Sequence, residues 1–175
     1  MGPVPEERGT EMKEHPKVKF RQMTPADIAG VLVVERASFS TPWTRQAFFN
    51  ELVHNQFSTY ILAMTNDRII GYGGMWLILK EAHITNIAVH PDWRGRGIGE
   101  SMFDYLMALA HLSGAEKMTL EVRVSNEIAQ NLYRKKGFKA TGIRPRYYTD
   151  NQEDALIMWA ELGGENDEKM LGAGN

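Results

Sequence analysis

The sequence predicts a mixed α/β domain, α+β-like in its segregation, with a central twisted sheet of about seven strands flanked by about four helices. Three observations carry that expectation. Strand-like and helix-like spacing alternate along the body of the chain, and hairpin signals stand at both ends with helical crossovers between them. The chain has 175 residues, 43% hydrophobic and 24% charged, the size and balance of one globular domain with a core of its own.

Val18, Phe20 and Gln22 open a short strand, which a helix start closes. Thr24 is placed to cap, Pro25 suits the first helical position, and Asp27 stands where the acid of a capping box belongs. Ile28, Val31, Leu32 and Glu35 then keep helical spacing. A second helix is expected from Thr44, after Pro42-Trp43, with Phe48, Phe49 and Leu52 on its apolar side. Segments 58–64 and 68–79 read as strands joined at the turn signal Asn66-Asp67, and His83 to Val89 reads as another. From Gly97 the spacing returns to helical, with Ile98, Met102, Tyr105, Leu106 and Leu109 in phase until Gly114. Met118, Leu120 and Val122 alternate as a strand. Asn126 is placed to cap a helix carrying Ile128, Ala129, Leu132 and Tyr133, which Gly137 stops. Two last strands, about 138–148 and 154–161, turn back at Asp150-Asn151.

One domain is expected over 17–162, between flexible tails at 1–16 and 163–175. The first tail has three prolines and few large apolar groups, and the second is polar and glycine-rich. Neither buries enough surface to offset the entropy of ordering it. The formal charge is −2, but the tails hold seven acids against three bases, so the central residues carry 17 bases and 15 acids. That balance argues against direct nucleic-acid binding and leaves a mildly basic body that can accept an anionic ligand. The absence of cysteine excludes a disulfide framework, thiolate metal sites and a cysteine nucleophile. No apolar run reaches the roughly 18 residues of a membrane span, and the first residues lack the apolar core of a secretory signal. A cytoplasmic protein is expected. The five histidines are scattered without metal-ligand spacing, so no metal is expected.

The stretch Asn86-Ile87-Ala88-Val89-His90-Pro91-Asp92-Trp93-Arg94-Gly95-Arg96-Gly97-Ile98-Gly99 is a strand, a turn and a helix start in succession. The first amides of a helix lack internal acceptors and lie at the positive end of its dipole. Glycines let a phosphate approach that backbone, and arginines add charge. The pattern points to a pyrophosphate cradle. It is not a P-loop, since Gly99 is followed by Glu100-Ser101 where Lys-Ser or Lys-Thr would be needed. Nor is it a dinucleotide turn, because the third glycine comes one residue early and His90 to Trp93 interrupt the strand.

Arg94-Gly95-Arg96-Gly97-Ile98-Gly99 resembles the R/Q-x-x-G-x-G/A signature of the GNAT (Gcn5-related) N-acetyltransferases. Further segments, among them Thr85-Asn86-Ile87-Ala88-Val89, Leu120 to Asn126, Leu132 to Phe138 and Arg144 to Tyr148, resemble the RimI-type ribosomal-protein alanine N-acetyltransferases in the same order. The resemblance implies a GNAT fold, acetyl-coenzyme A as donor, and a protein N-terminal amine as acceptor, the N-terminal alanine of ribosomal protein eighteen of the small subunit. It implies that backbone atoms of Ile87, Ala88 and Val89 pair with the pantetheine arm. Arg94, Gly95, Arg96, Gly97, Ile98, Gly99 and Glu100 would hold the pyrophosphate, and Asn126 would touch the cofactor arm. Glu121 and Tyr133 match the family's general base and general acid. Trp43, Tyr147 and Tyr148 are candidates for the acceptor groove, although the two tyrosines fall on opposite faces of an expected strand, so that at least one packs.

The residue types suit the chemistry. An α-amine with a pKa near 8 is only about one-tenth neutral at pH 7, and a carboxylate can take the proton shed as the new C–N bond forms. A phenol with a pKa near 10 stays protonated and can donate to the departing sulfur. With no cysteine and no serine in a nucleophile elbow, direct transfer within a ternary complex is expected. A small-molecule N-acetyltransferase and a non-catalytic acetyl-coenzyme A-binding module are the competing readings, and the usable base at Glu121 speaks against the second. Spacing says nothing of oligomeric state.

Overall fold

Seven strands and four helices form in the order that the spacing predicts, over residues 17–163, which the computed structural model describes. Of the ends expected from their composition to be tails, 1–16 and 163–175, all but Gly163 lie outside the described residues. Strand β1 (Lys19–Gln22) ends at the Thr24–Asp27 capping box, in which the Thr24 amide donates to Asp27 Oδ2 at 2.8 Å. The first turn, Pro25–Asp27, is 3-10, and helix α1 follows over Ile28–Ser38. Helix α2 (Arg45–Phe49) starts at Thr44, whose hydroxyl oxygen accepts from the Ala47 amide, and widens into a π turn at Asn50–His54. Phe48 is fully buried, but Phe49 is 38% exposed and leaves the expected apolar side, because a helix turns about 100° per residue.

Strands β2 (Ser58–Thr65) and β3 (Arg68–Ile78) meet at Asn66-Asp67, both left-handed with φ of 47° and 63°. That is the turn geometry that matches the twist of a hairpin. Strand β4 (Glu81–Val89), helix α3 (Ile98–Leu112), strand β5 (Lys117–Arg123) and helix α4 (Glu127–Lys135) follow. The chain closes with β6 (Lys139–Arg144) and β7 (Ala155–Glu161). Strand β6 stops at Arg144 rather than near 148. Pro145 has no N–H for the ladder, and Arg146 turns left-handed with φ 51°. Tyr147 and Tyr148 therefore do not alternate across a strand. They stand edge to face in the following loop, with ring centroids 5.1 Å apart.

The sheet order is β1-β2-β3-β4-β5-β7-β6, antiparallel throughout except between β4 and β5. Helices α3 and α4 cover one face and α1 and α2 the other. Met102, Phe103 and Leu106 of α3 pack with Met118, Leu120 and Val122 of β5 on the first face. Val31, Leu32 and Phe48 pack with Tyr60, Leu62 and Tyr72 on the second. The approach is close there, since a Cβ on Gly74 would lie 2.2 Å from the Tyr60 ring.

Strand β4 is irregular in two ways. Gly74 pairs with Asn86 and Met75 with Ile84, so Thr85 is an extra residue, a bulge. The bulge switches the faces: Ala82 and Ile84 belong to the α3-side core, whereas Ala88 belongs to the α1-side core. In addition, β4 pairs with β5 only from Glu81 to His83, opposite Lys117 to Thr119, and the two strands then part. The β4 edge from Thr85 to Val89 faces a split in the sheet.

Candidate active site

At the end of β4 the chain passes through a 3-10 turn (Pro91–Trp93) and enters α3 through Gly95 and Gly97, both with φ of 76°. No backbone amide from Gly95 through Glu100 has an acceptor among the described residues, and the first bond of the helix is Ser101 N–H to Gly97 C=O at 3.0 Å. Successive free N–H groups at the positive end of a fifteen-residue helix form an anion cradle. A Cβ at Gly95 or Gly97 would meet nothing within 4 Å and would project into that open cradle. In front of it lies a cavity of about 320 Å³, lined by the β4 residues Ile87, Ala88 and Val89 and by Arg94, Gly95, Gly97, Ile98 and Gly99. Arg94 is fixed there by its Nε–H, which donates to Val89 O at 3.0 Å. Arg96 does not line the cavity; its guanidinium lies 4.6 Å from the centre of the Trp93 ring. Glu100 turns its carboxylate to α4, where Lys136 and Lys135 pair with it at 2.9 and 3.2 Å. Their hydrogen bonds, that of Lys136 foremost, hold the Glu100 carboxyl below its ordinary range. The acid beside the cradle is thus neutralised by neighbours, and the donor set fits a diphosphate.

A second cavity of about 600 Å³ shares Ser38 and Phe39 with the first. Glu35, Trp43, Thr85, Asn86, Arg123 and Tyr148 form its walls. Arg123 is pinned between Asp150 at 2.9 Å and Glu153 at 3.3 Å, and lies 4.0 Å from the Tyr148 ring centre. Burial pushes the Tyr148 phenol up to about 12. Tyr147 is not among these walls and is 43% exposed. Of the three acceptor candidates, the structure brings Trp43 and Tyr148 together and leaves Tyr147 at the edge.

Leu120 and Val122 point into the α3-side core, so Glu121 points the other way. Its side chain is 7% exposed, with Oε2 at 2.6 Å from His83 Nε2 and Oε1 at 3.4 Å from Arg144 Nε. His83 reaches it because Thr119 pairs with His83 in the short parallel ladder, which makes Glu121 a diagonal neighbour. Sequence reasoning missed His83. The two residues are 38 positions apart, and only the strand register reveals the contact. Arg123, two residues past Glu121 and on the same face, reaches the second cavity. Tyr133 lies on the α3 side of the sheet, its ring centroid 4.9 Å from that of Phe103 and 6.0 Å from that of Phe138. Its hydroxyl has no hydrogen-bond partner among the described residues, and burial raises its pKa, so the phenol is protonated at neutral pH. Asn126 uses Oδ1 to cap α4, accepting from the Ala129 amide at 3.1 Å, and its side-chain N–H groups have no partner among the described residues. Among the described residues no cluster of three metal-ligating side chains occurs, and no helix is long and apolar enough to cross a membrane.

A mixed sheet split beside an amide-lined anion cradle, with a second cavity adjoining the first, defines an enzyme that passes a group from a phosphate-bearing carrier to another substrate. The chain belongs to the acetyltransferase (GNAT) family, whose family model matches residues 28–138, and it is an acetyltransferase. The resemblance read from the glycine signature is thereby established, as is the fold that it implied. A Bacillus subtilis protein with the provisional name ribosomal protein bS18-alanine N-acetyltransferase is 43% identical over 146 residues, 83% of this chain and 97% of that protein. The Salmonella typhimurium ribosomal protein bS18-alanine N-acetyltransferase is 34% identical over 140 residues, 78% of this chain and 92% of that protein. The crystal structure of the Escherichia coli ribosomal-protein-S18-alanine N-acetyltransferase superposes with a TM-score of 0.78 at 28% identity, over 86% of this chain and 98% of that one.

Proposed function

We propose that this enzyme acetylates the N-terminal α-amine of a protein, that of the N-terminal alanine of ribosomal protein bS18, with acetyl-coenzyme A as donor. The observation that carries the reading is the junction at Ser38 and Phe39, where a cavity fronted by free amides meets a separate groove. The names of the bacterial relatives support the acceptor.

Bound acetyl-coenzyme A supplies an activated acetyl thioester. The amides from Gly95 to Glu100 hold its diphosphate, with Arg94 adding positive charge at the cavity and Arg96 from its place against Trp93 outside it. Past the split, those backbone groups of Ile87, Ala88 and Val89 that point away from β3 offer hydrogen bonds to an extended arm, and Asn126 has side-chain N–H groups to spare for it. Trp43 and Tyr148 wall the groove in which the acceptor lies, and Tyr147 meets it at the rim. Glu121 is the base. His83 and Arg144 fix its carboxylate, which retains lone pairs on both oxygens for a water that relays the amine's proton. Tyr133 is the acid, its free hydroxyl donating to the departing sulfur. Glu121 and Tyr133 approach from opposite faces of the sheet, and the split between β4 and β5 is where the faces communicate.

Mass spectrometry of protein N-termini from cells with and without the gene tests the reading. The bS18 alanine should lose its acetyl group when the gene is absent. An unchanged bS18 terminus, with turnover of small amines and no peptide by the purified enzyme, would overturn the acceptor assignment.

A further inference from the structure

Helix α1 carries an acid where its spacing calls for an apolar residue. Glu35 is in phase with Ile28, Val31 and Leu32 and is 2% exposed. Burying a carboxylate is costly unless hydrogen bonds offset the loss of water. Two do so here. The Trp43 amide donates to Oε1 at 2.9 Å, and the Tyr72 hydroxyl donates to Oε2.

The direction of these bonds follows from their neighbours. Thr85 Oγ1 donates to Asn86 Oδ1 at 2.8 Å, so the opposite end of that amide, Nδ2, is the donor that reaches the Tyr72 oxygen at 3.1 Å. The Tyr72 proton is then directed at Glu35, and a peptide N–H such as that of Trp43 can only donate. Glu35 therefore receives both protons, the pattern that suits an ionised carboxylate. The other acids of the groove, Asp150 and Glu153, are paired with Arg123, whereas no cation pairs with Glu35 among the described residues.

The chain of bonds links the two sides of the groove. One side is the segment from Phe39 to Trp43, exposed as far as Pro42 and half-buried at Trp43. Apart from the Phe39 amide that closes α1, its only hydrogen bond among the described residues is that of Trp43 to Glu35. The other side is the β4 bulge, with Thr85 and Asn86. Tyr72, itself fully buried on β3, stands between them.

We infer that Glu35 is a positioning residue for the acceptor, locking Trp43 to Asn86 through Tyr72 and so setting the width of the groove. The inference rests on the acceptor reading proposed for this enzyme. A glutamine at this position offers one acceptor and one donor end, so it cannot receive both protons. Phenylalanine at 72 keeps the ring and removes the link.

The test combines steady-state kinetics with hydrogen exchange at the Trp43 amide on Glu35→Gln, Tyr72→Phe and the double variant. Each single change should raise the peptide KM about tenfold while leaving the KM for the coenzyme within about twofold. The double variant should cost little more than either single change, because both break one chain. The Trp43 amide should exchange at least about tenfold faster in Glu35→Gln. A peptide KM unmoved, a coenzyme KM rising in step with it, or an unchanged Trp43 exchange rate would overturn the lock. If Glu35→Gln fails to fold, Tyr72→Phe decides on the same kinetic readouts. Failure of the acceptor reading shows separately, as no turnover of N-terminal peptides by the unsubstituted enzyme, and the exchange measurement then still decides whether the lock exists.

Discussion

Each proposed catalytic residue is held by its neighbours in a way that makes its substitution informative. Glu121 is nearly buried and fixed by His83 and Arg144, so Glu121→Gln keeps the shape and removes the base. The kcat should fall about 10²-fold or more, and an unchanged pH–rate profile would take the role away. Tyr133→Phe leaves the contacts with Phe103 and Phe138 in place, so transfer should slow while thermal stability stays near that of the parent. Far from the site, Asp27 makes a pH prediction. Arg21, by its hydrogen bonds, lowers the Asp27 carboxyl from 3.8 to about 2. A carboxyl lowered by folding stabilises the fold above its unfolded value and loses that contribution as pH falls through the folded one. Urea midpoints should therefore fall more steeply between about pH 4 and pH 2 in the parent than in Asp27→Asn. The difference should be only about 1 kcal/mol, because the Arg21 side chain is 46% exposed and the pair is screened.

Among the elements, helix ends separate structure from binding. Asn126 caps α4 and has N–H groups left over, so Asn126→Ala should cost about 1 kcal/mol of stability. Asn126→Asp keeps the cap and should restore the melting temperature. If the side-chain amide also touches the coenzyme, Asn126→Asp will still bind it more weakly by calorimetry; equal affinities would confine Asn126 to the cap. Gly97→Ala places a side chain at φ 76°, a strain of roughly 1–2 kcal/mol, and should weaken coenzyme binding further by filling the cradle. These features were legible in the sequence because they are local. Thr24, Thr44, Asn126, Gly114 and Gly137 mark helix ends within a few residues, and the cradle is one continuous segment. The Thr85 bulge was not legible, since no glycine or proline marks it and the face switch shows only against β3. Pro145 did mark the end of β6, but the tyrosines beyond it read as strand because aromatic residues favour strands. His83 beside Glu121, and Trp43 and Asn86 tied to Glu35, depend on register and packing between distant segments. Spacing placed Glu35 on a buried helix face without disclosing what would share its charge.

Taken as a whole, the molecule holds its two cavities side by side, joined at Ser38 and Phe39 at the end of α1, with the split between β4 and β5 beside them. Such a layout lets donor and acceptor be present together, and among the described residues no activated nucleophile stands at the junction to carry the acetyl between two separate visits. The chain has no cysteine. Ser38 is the hydroxyl at the junction, but its Oγ is buried and has no hydrogen-bond partner among the described residues, so no base activates it. In the proposed mechanism Glu121, held by His83 and Arg144, takes a proton from an incoming amine rather than forming a bond to carbon itself. The transfer is therefore expected to be direct. Initial rates measured against peptide at several fixed concentrations of acetyl-coenzyme A should give intersecting reciprocal plots, and the intact enzyme incubated with acetyl-coenzyme A alone should gain no acetyl mass. Parallel plots together with an acetylated enzyme, the mass lost in Ser38→Ala, would replace direct transfer with a covalent relay through the junction.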